Sequence, residues 1–331
     1  MLNQERSYIY GCRMNRFPKF DDLTGQSSEM KLVFRRINEA ASTDVTVLIL
    51  GESGTGKELV AQSIHKRSDR SKGPFIPVNT GAISRELVAS ELFGHRKGAF
   101  TGANETKLGK FELANGGTIF LDEVSSMDET TQVSLLRVIE TKKIQRIGGK
   151  RFIDTDVRII AASNEDLLHV NSVDETIIRK DLFHRLSVFT ITLAPLRERE
   201  GDIVILAEEL LQDACKNFNK KIHGFEQSAI TALTDYPWPG NVREMNNVIQ
   251  RAVLITRDEF ITSRDLPQRV RTSQKSIEDI VIKVGSTLKE SEKIIITKTL
   301  AMTKGNRKKA AEILGISRRA LYNKLQYHEL E

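Results

Sequence analysis

Between residues 32 and 193, short β-branched runs alternate with segments of helical periodicity, which predicts an α/β fold built on a parallel sheet with helices on both faces. The first clear strand, Val45–Leu50, runs directly into a glycine cluster, Gly51-Glu-Ser-Gly-Thr-Gly56-Lys57. Beyond Asp202 strand signals vanish, so a helical subdomain follows the sheet, and the chain closes on a small basic all-helical unit.

Element by element, Lys57–Arg67 places Leu59, Val60 and Ile64 on one helical side. Further strands are expected at Phe75–Val78, Thr118–Leu121, Val157–Ala161 and Phe189–Leu193, with helices at Arg85–Leu92, Thr131–Glu140 and Lys180–Leu186. Ile203–Asn217, Gln227–Tyr236 and Val242–Thr256 read as helices, the last two separated by Pro237 and Pro239. Residues 1–20 show no periodicity and read as a leader, and the polar stretch that starts at Gln268 reads as a linker. The expected division is therefore a leader (1–20), an α/β subdomain (21–198), a helical lid (199–267), a linker (268–287) and a C-terminal helical domain (288–331).

The 331 residues are 39% hydrophobic and 28% charged, which excludes wholesale disorder and fibrous repeats. No apolar run approaches the ~18 residues of a membrane span, so no membrane partner is expected. Cys12 and Cys215 lack metal-site spacing, which suits a reducing cytoplasm. The net charge is +6, but the last 29 residues hold seven basic side chains against three acidic ones. That leaves +2 for the preceding 302 residues, so the basicity is local.

The glycine cluster matches the G-x-x-x-x-G-K core of a phosphate-binding loop in its strand-then-helix context. Its backbone N–H groups converge on phosphates at a helix N-terminus, and Lys57 neutralises β/γ charge. Gly51, Glu52, Ser53, Gly54, Thr55, Gly56, Lys57 and Glu58 are thus the expected nucleotide contacts, with ATP and Mg²⁺ as cofactors. Glu58 stands where the general motif has Ser or Thr, which removes the hydroxyl that usually meets Mg²⁺. The apolar strand Gly117-Thr-Ile-Phe-Leu-Asp122-Glu123 ends in two carboxylates. Asp122 suits the metal and Glu123 suits polarising a water for attack on the γ-phosphate.

These residues together resemble the NtrC-like, sigma-54-dependent transcription activators, whose central domain is an AAA+ ATPase; the similarity runs from about Phe20 to the end of the chain. Its most specific element is Gly98-Ala99-Phe100-Thr101-Gly102-Ala103, the loop by which such activators engage sigma-54. A glycine-flanked loop with one Phe is either a movable apolar probe or a turn with Phe100 tucked inward. The resemblance implies that Asn79 restrains Glu123, unless it is a plain cap, and that Asn164 occupies the sensor I position, unless it is a turn residue. Arg179 and Arg185 match the fingers that reach a neighbouring subunit's nucleotide, or else form structural ion pairs. Arg243, in Trp238-Pro-Gly-Asn-Val-Arg243-Glu, matches sensor II. Arg197 and Arg199 read as links between sheet and lid. The segment Gln145–Asp156 lies where a second loop supports the first, its Gly148-Gly149 pair giving mobility or only a hairpin.

In the tail, Leu288–Leu300 offers Ile294, Ile295 and Ile296 as an apolar stripe. Arg307–Leu314, the turn Gly315-Ile316 and a helix capped by Ser317 and running through Gln326 form a helix-turn-helix. Ala310, Ala311, Ile313, Leu314, Ile316, Leu321 and Leu325 are assigned to packing, while Arg307, Ser317, Arg318, Arg319, Tyr322, Asn323 and Lys324 are assigned to DNA. The unit resembles the Fis-type domain of the same family. The expected partners are therefore the sigma-54 RNA polymerase holoenzyme, double-stranded DNA at upstream sites, and copies of the chain, from a dimer to a hexameric ring. Most such activators carry a receiver or sensory domain ahead of the ATPase, and about 20 residues are too few for one. The rival reading is a DNA-binding regulator whose ATPase fold serves only oligomerisation.

Overall fold

The computed structural model describes residues 10–11, 19–164, 178–272, 285, 287–303 and 305–328. Five parallel strands form the central sheet: β1 (Val47–Leu50), β2 (Phe75–Asn79), β3 (Thr118–Asp122), β4 (Arg158–Ser163) and β5 (Phe189–Thr192), in spatial order β5-β1-β4-β3-β2. Leu50 aligns with Ser163 and with Thr192, and Asn79 aligns with Asp122. Because every strand runs the same way, all these C-terminal residues lie along one edge, where open parallel sheets bind ligands.

Alternation along the strands divides their side chains between two faces. Leu48 and Leu50 join Ile119, Leu121 and Ile159 in one buried cluster; Val47 and Ile49 join Phe120, Ile160 and Ile191 in the other. Helices α1 (Ser28–Ala41) and α2 (Lys57–Lys66) cover the second face, while α3 (Arg85–Phe93), α4 (Glu129–Thr141) and α5 (Lys180–Leu186) cover the first. Each fully buried Leu or Ile contributes about 1.5–3 kcal/mol. Helix α4 begins two residues before its expected start because Asp128 caps it, accepting from Thr131 N at 3.0 Å.

The lid consists of α6 (Asp202–Phe218), α7 (Gln227–Asp235) and α8 (Asn241–Ile255) around its own apolar core. Trp238 is fully buried in the break between α7 and α8, its indole N–H donating to Leu233 O at 2.8 Å. The lid is not free of strand. Gly224–Phe225 pairs antiparallel with Tyr10–Gly11 and parallel with Phe260–Ile261. The leader expectation is corrected at the same time: Lys19–Phe20 forms a hairpin with Leu23–Thr24, and Phe20 stacks on Phe34 with ring centres 4.7 Å apart. Two-residue pairings are too short to leave a period in the sequence. Cys12 and the rest of the expected leader lie outside the described residues.

The linker expectation is also corrected at its start. Gln268–Arg271 is a helical turn whose Val270 is buried in the lid core, one apolar residue being too weak a signal to read. Residues 273–284 and 286 lie outside the described set, and Thr272 ends the first compact unit.

The second unit contains α9 (Leu288–Met302), α10 (Arg307–Ile313) and α11 (Arg318–Tyr327). Ile296, Ala310, Ala311, Leu321 and Leu325 are buried together. Ile294 and Ile313, expected to pack, are exposed. At 100° per residue three consecutive isoleucines cannot share one helical face, so Ile296 takes the core and Ile294 does not. Asn306 and Ser317 cap α10 and α11, accepting from Lys309 N and Ala320 N, each at 3.1 Å. Among the described residues no helix is long and apolar enough to cross a membrane.

Candidate nucleotide site and contact surfaces

The loop joining β1 to α2 is shaped by its glycines. Gly54 and Gly56 take φ of 79° and 104°, and a Cβ on Gly54 would stand 2.4 Å from Gly240 O of the lid. Any side chain there would drive lid and loop apart. Lys57, the first residue of α2, is buried, and its Nζ donates to Gly51 O at 2.7 Å and Glu52 O at 3.2 Å. Burial pushes the Lys57 pKa below the ordinary lysine value, opposed by the attraction of Asp122 and Glu123. Burial likewise pushes the Asp122 carboxyl up, Lys57 pulls it back, and Glu123 and Glu58 add to the rise.

Glu123 sits just past β3 in the left-handed backbone region, φ 59°, a strained placement for a non-glycine residue at a strand tip. Its Oε1 accepts from Asn164 Nδ2 at 3.1 Å. The partner expected from the resemblance was Asn79, and here the structure differs: Asn79 Oδ1 accepts from Ala82 N at 3.0 Å, closing its own turn. β2 and β4 both flank β3, so Asn79 and Asn164 both emerge beside its end; Asn79 turns to cap its own loop, and Asn164 makes the bond to Glu123.

The residues present fit a nucleotide with its metal. The loop has the glycine geometry of a phosphate cradle, a buried ammonium stands at its mouth, and two carboxylates face that ammonium across the sheet edge. Lys57 and the loop N–H groups would hold the phosphates, and Asp122 would hold Mg²⁺. No loop hydroxyl stands ready for the metal: Thr55 Oγ1 donates to Glu52 O at 2.8 Å, and Ser53 Oγ receives Arg243 Nη1 at 2.9 Å. Glu58 is exposed and pairs with Gln62 Nε2 at 3.3 Å. Among the described residues no cluster of three His, Cys, Asp or Glu side chains could hold a metal by itself.

The lid meets the loop through polar groups. Val242 N donates to Gly54 O at 3.0 Å, and Asn241, buried with φ 51°, donates to Glu52 Oε2 and Ser53 O while accepting from Leu196 N at 2.8 Å. Arg197 binds Glu52, so its expected linking role reaches the phosphate loop itself. Arg199, expected as a link between sheet and lid, and Asp202, which sequence reasoning passed over, lie behind them. Buried Arg199 donates to Ala194 O at 2.8 Å and Thr55 O at 3.0 Å. Fully buried Asp202 accepts from Gln26 N at 2.7 Å, Ser27 N at 3.0 Å and Ser27 Oγ at 2.8 Å, tying α6 to the start of α1. The only signal for Asp202 was its place at the end of a run of charges, Arg197-Glu-Arg-Glu-Gly-Asp202, between two apolar elements.

Arg179 and Arg185 lie at the surface and form ion pairs within the chain. Arg179 binds Glu129 at 2.8 Å and Asp181 at 2.9 Å, and Arg185 binds Glu140 at 3.2 Å.

The Gly98–Ala103 segment is a folded tip in which Gly98 N donates to Ala103 O at 2.8 Å. Gly98 and Gly102 have left-handed backbones with open space around them, and Ala103 is buried. Phe100 combines the two expected placements: it is 38% exposed, yet its ring meets His95 edge-on with centres 5.0 Å apart. Thr101 is exposed beside it. The second loop does support the first. Arg96 N donates to Ile147 O at 3.0 Å, Ile147 N donates to Gly94 O at 2.9 Å, and Ala99 packs close to Gly148. The strands Lys143–Gln145 and Phe152–Asp154 make it a hairpin.

On the second unit, Arg318, Arg319, Tyr322 and Asn323 project from α11 into solvent, and the Arg307 guanidinium lies over the Tyr322 ring at 4.9 Å. Lys324, expected to face DNA, instead binds Glu292 of α9, which also meets His328 Nε2 at 3.0 Å.

A parallel sheet in this strand order, with a phosphate loop and an acidic pair at its carboxyl edge and a helical lid behind, defines a P-loop protein of the AAA+ class. The chain belongs to the sigma-54 interaction domain family of bacterial transcription activators. The profile of the Sigma-54 interaction domain matches residues 23–192, that of the AAA+ ATPase lid domain 197–280, and that of Bacterial regulatory protein, Fis family, 287–327. The chain is 45% identical to Regulatory protein AtoC of Escherichia coli K12, over 88% of this chain and 64% of that protein. It is 42% identical to Nitrogen fixation protein AnfA of Azotobacter vinelandii, over 97% of this chain and 60% of that protein. Both alignments cover less than two thirds of the relative. NtrX from Brucella abortus, solved in complex with ATP, superposes with a TM-score of 0.70 at 32% identity, covering 93% of this chain and 70% of NtrX.

Proposed function

We propose that the chain hydrolyses ATP to drive a sigma-54 RNA polymerase closed complex to the open complex while bound to DNA upstream. The observation that carries this reading is the pairing, in one α/β unit, of a buried Lys57 facing Asp122 and Glu123 with a glycine-hinged tip that presents Phe100.

Lys57 orients the β- and γ-phosphates, and Arg243 approaches them from the lid. Asp122 holds Mg²⁺, which when bound neutralises phosphate charge. Glu123 Oε1 accepts the proton of the attacking water, Asn79 and Asn164 being the amides nearest to its control. In a ring of copies, Arg179 and Arg185 exchange their in-chain carboxylates for the neighbour's phosphates. Nucleotide-dependent movement of the supporting hairpin then lifts Gly98–Ala103 toward sigma-54, with Phe100 and Thr101 as the contact. Arg307, Ser317, Arg318, Arg319, Tyr322 and Asn323 serve DNA, the basic ones by phosphate neutralisation, and Lys324 joins them only on leaving Glu292. The natural setting for this chemistry is the bacterial cytoplasm.

Phe100→Ala tests the reading when ATPase and sigma-54-dependent transcription are assayed side by side. Retained hydrolysis with lost transcription is expected. Unaffected transcription would assign the ATPase fold to oligomerisation alone.

A further inference from the structure

We infer that the Asn164 side chain is a two-way positioning residue: it holds Lys57 back from phosphate and Glu123 back from water at once. This rests on the ATPase reading above. Asn164 Oδ1 accepts from Lys57 Nζ, and Asn164 Nδ2 donates to Glu123 Oε1 at 3.1 Å. An amide has one accepting and one donating end, so a cation on one side and a carboxylate on the other fix its orientation. Turned over, it would set N–H against ammonium and carbonyl against carboxylate, losing both charge-assisted bonds. The two charged groups that hydrolysis needs are therefore engaged through a single side chain.

Lys57 has three acceptors around Nζ: Gly51 O, Glu52 O and Asn164 Oδ1. To reach a phosphate it must leave at least part of that cage. Once it does, the Asn164 carbonyl loses its cation, and of these two contacts the bond from Nδ2 to Glu123 alone is left to fix the amide. The arrival of phosphate at Lys57 thus loosens the hold on the base. Asn79 has no such link, since its carbonyl is spent on Ala82 N.

The test is titration of the full chain with a fluorescently labelled ADP, with ATP hydrolysis measured in parallel. Asn164→Ala removes one competitor for Lys57 and is expected to bind about threefold to tenfold more tightly. Asn164→Asp puts a carboxylate beside Lys57 and is expected to bind more weakly than the unmodified chain. In a Lys57→Ala background, Asn164→Ala is expected to bring no gain, because the competition it relieves no longer exists. A merely structural role would weaken binding in every variant. Should Asn164→Ala fail to fold, the near-isosteric Asn164→Asp still decides. Unchanged or weaker binding by Asn164→Ala, or unchanged or tighter binding by Asn164→Asp, in a chain that hydrolyses ATP overturns this inference alone. An unmodified chain that binds no nucleotide overturns the ATPase reading and this inference with it.

Discussion

Arg197 closes a two-pronged ion pair on Glu52, with Nη1 2.9 Å from Oε2 and Nη2 2.6 Å from Oε1, so a residue following the last strand grips the second position of the phosphate loop. Arg197 holds the Glu52 carboxyl below the usual carboxylate range, and Asn241 adds to the effect. A fixed anion at the lip of a phosphate site is tolerable only while it is neutralised.

Arg197→Ala is therefore expected to weaken nucleotide binding by about threefold to tenfold, and Glu52→Gln in the same chain to restore it. Both side chains are about two-fifths exposed, so the melting temperature should barely move. Isothermal titration of the single and double variants checks the coupling; independent effects would refute it.

Asp202 has no exposure, and it accepts three hydrogen bonds from Gln26 and Ser27. Asp202→Ala leaves the two Ser27 donors buried without this partner and is expected to cost about 2–4 kcal/mol. Urea denaturation of the two chains measures it, and a loss below 1 kcal/mol would contradict the assignment.

Glu112 binds Arg146 at 2.6 Å, joining the turn before β3 to the second loop. That hydrogen bond holds the Glu112 pKa below its ordinary value, with the Gly109 N–H contributing. A depressed carboxyl pKa stabilises the fold above the unfolded-state pKa, and the contribution is lost as pH falls through the folded value. Melting curves of Glu112→Gln should thus lie below those of the parent at pH 7. The gap should close in acid, below the ordinary carboxylate range near 4.5. A gap independent of pH would sink the attribution.

Lys324 is held by Glu292, so the recognition helix presents one positive charge fewer than its sequence suggests. Glu292→Gln is expected to free it, raising DNA affinity and steepening the dependence on salt by about one counterion. Filter binding at several salt concentrations reads the slope.

The central sheet was legible because alternation and helical periodicity are local properties of the chain, and the observed strands depart from the expected ones by only a residue or two. The phosphate loop and the acidic pair were legible for the same reason: each is a contiguous motif. What stayed hidden depends on strand order and long-range contact. The Asn164–Glu123 bond exists because β4 lies beside β3, and no spacing along the chain encodes that. Arg199 was legible as a link but its partner Thr55 was not, and Asp202 went unread, because the partners lie roughly 140 and 175 residues away. The exposed Ile313 failed the other way, an apolar residue that the three-helix core leaves outside.

The lid and the sheet keep separate apolar cores, and the joint between α8 and the phosphate loop consists of amides, a guanidinium pair and backbone hydrogen bonds. Rocking the lid on that joint would exchange these bonds for water while uncovering little hydrocarbon. The step should then carry a small heat-capacity change. Temperature would shift its balance only gently, in contrast to global unfolding, which exposes both cores and must follow a strongly curved stability profile.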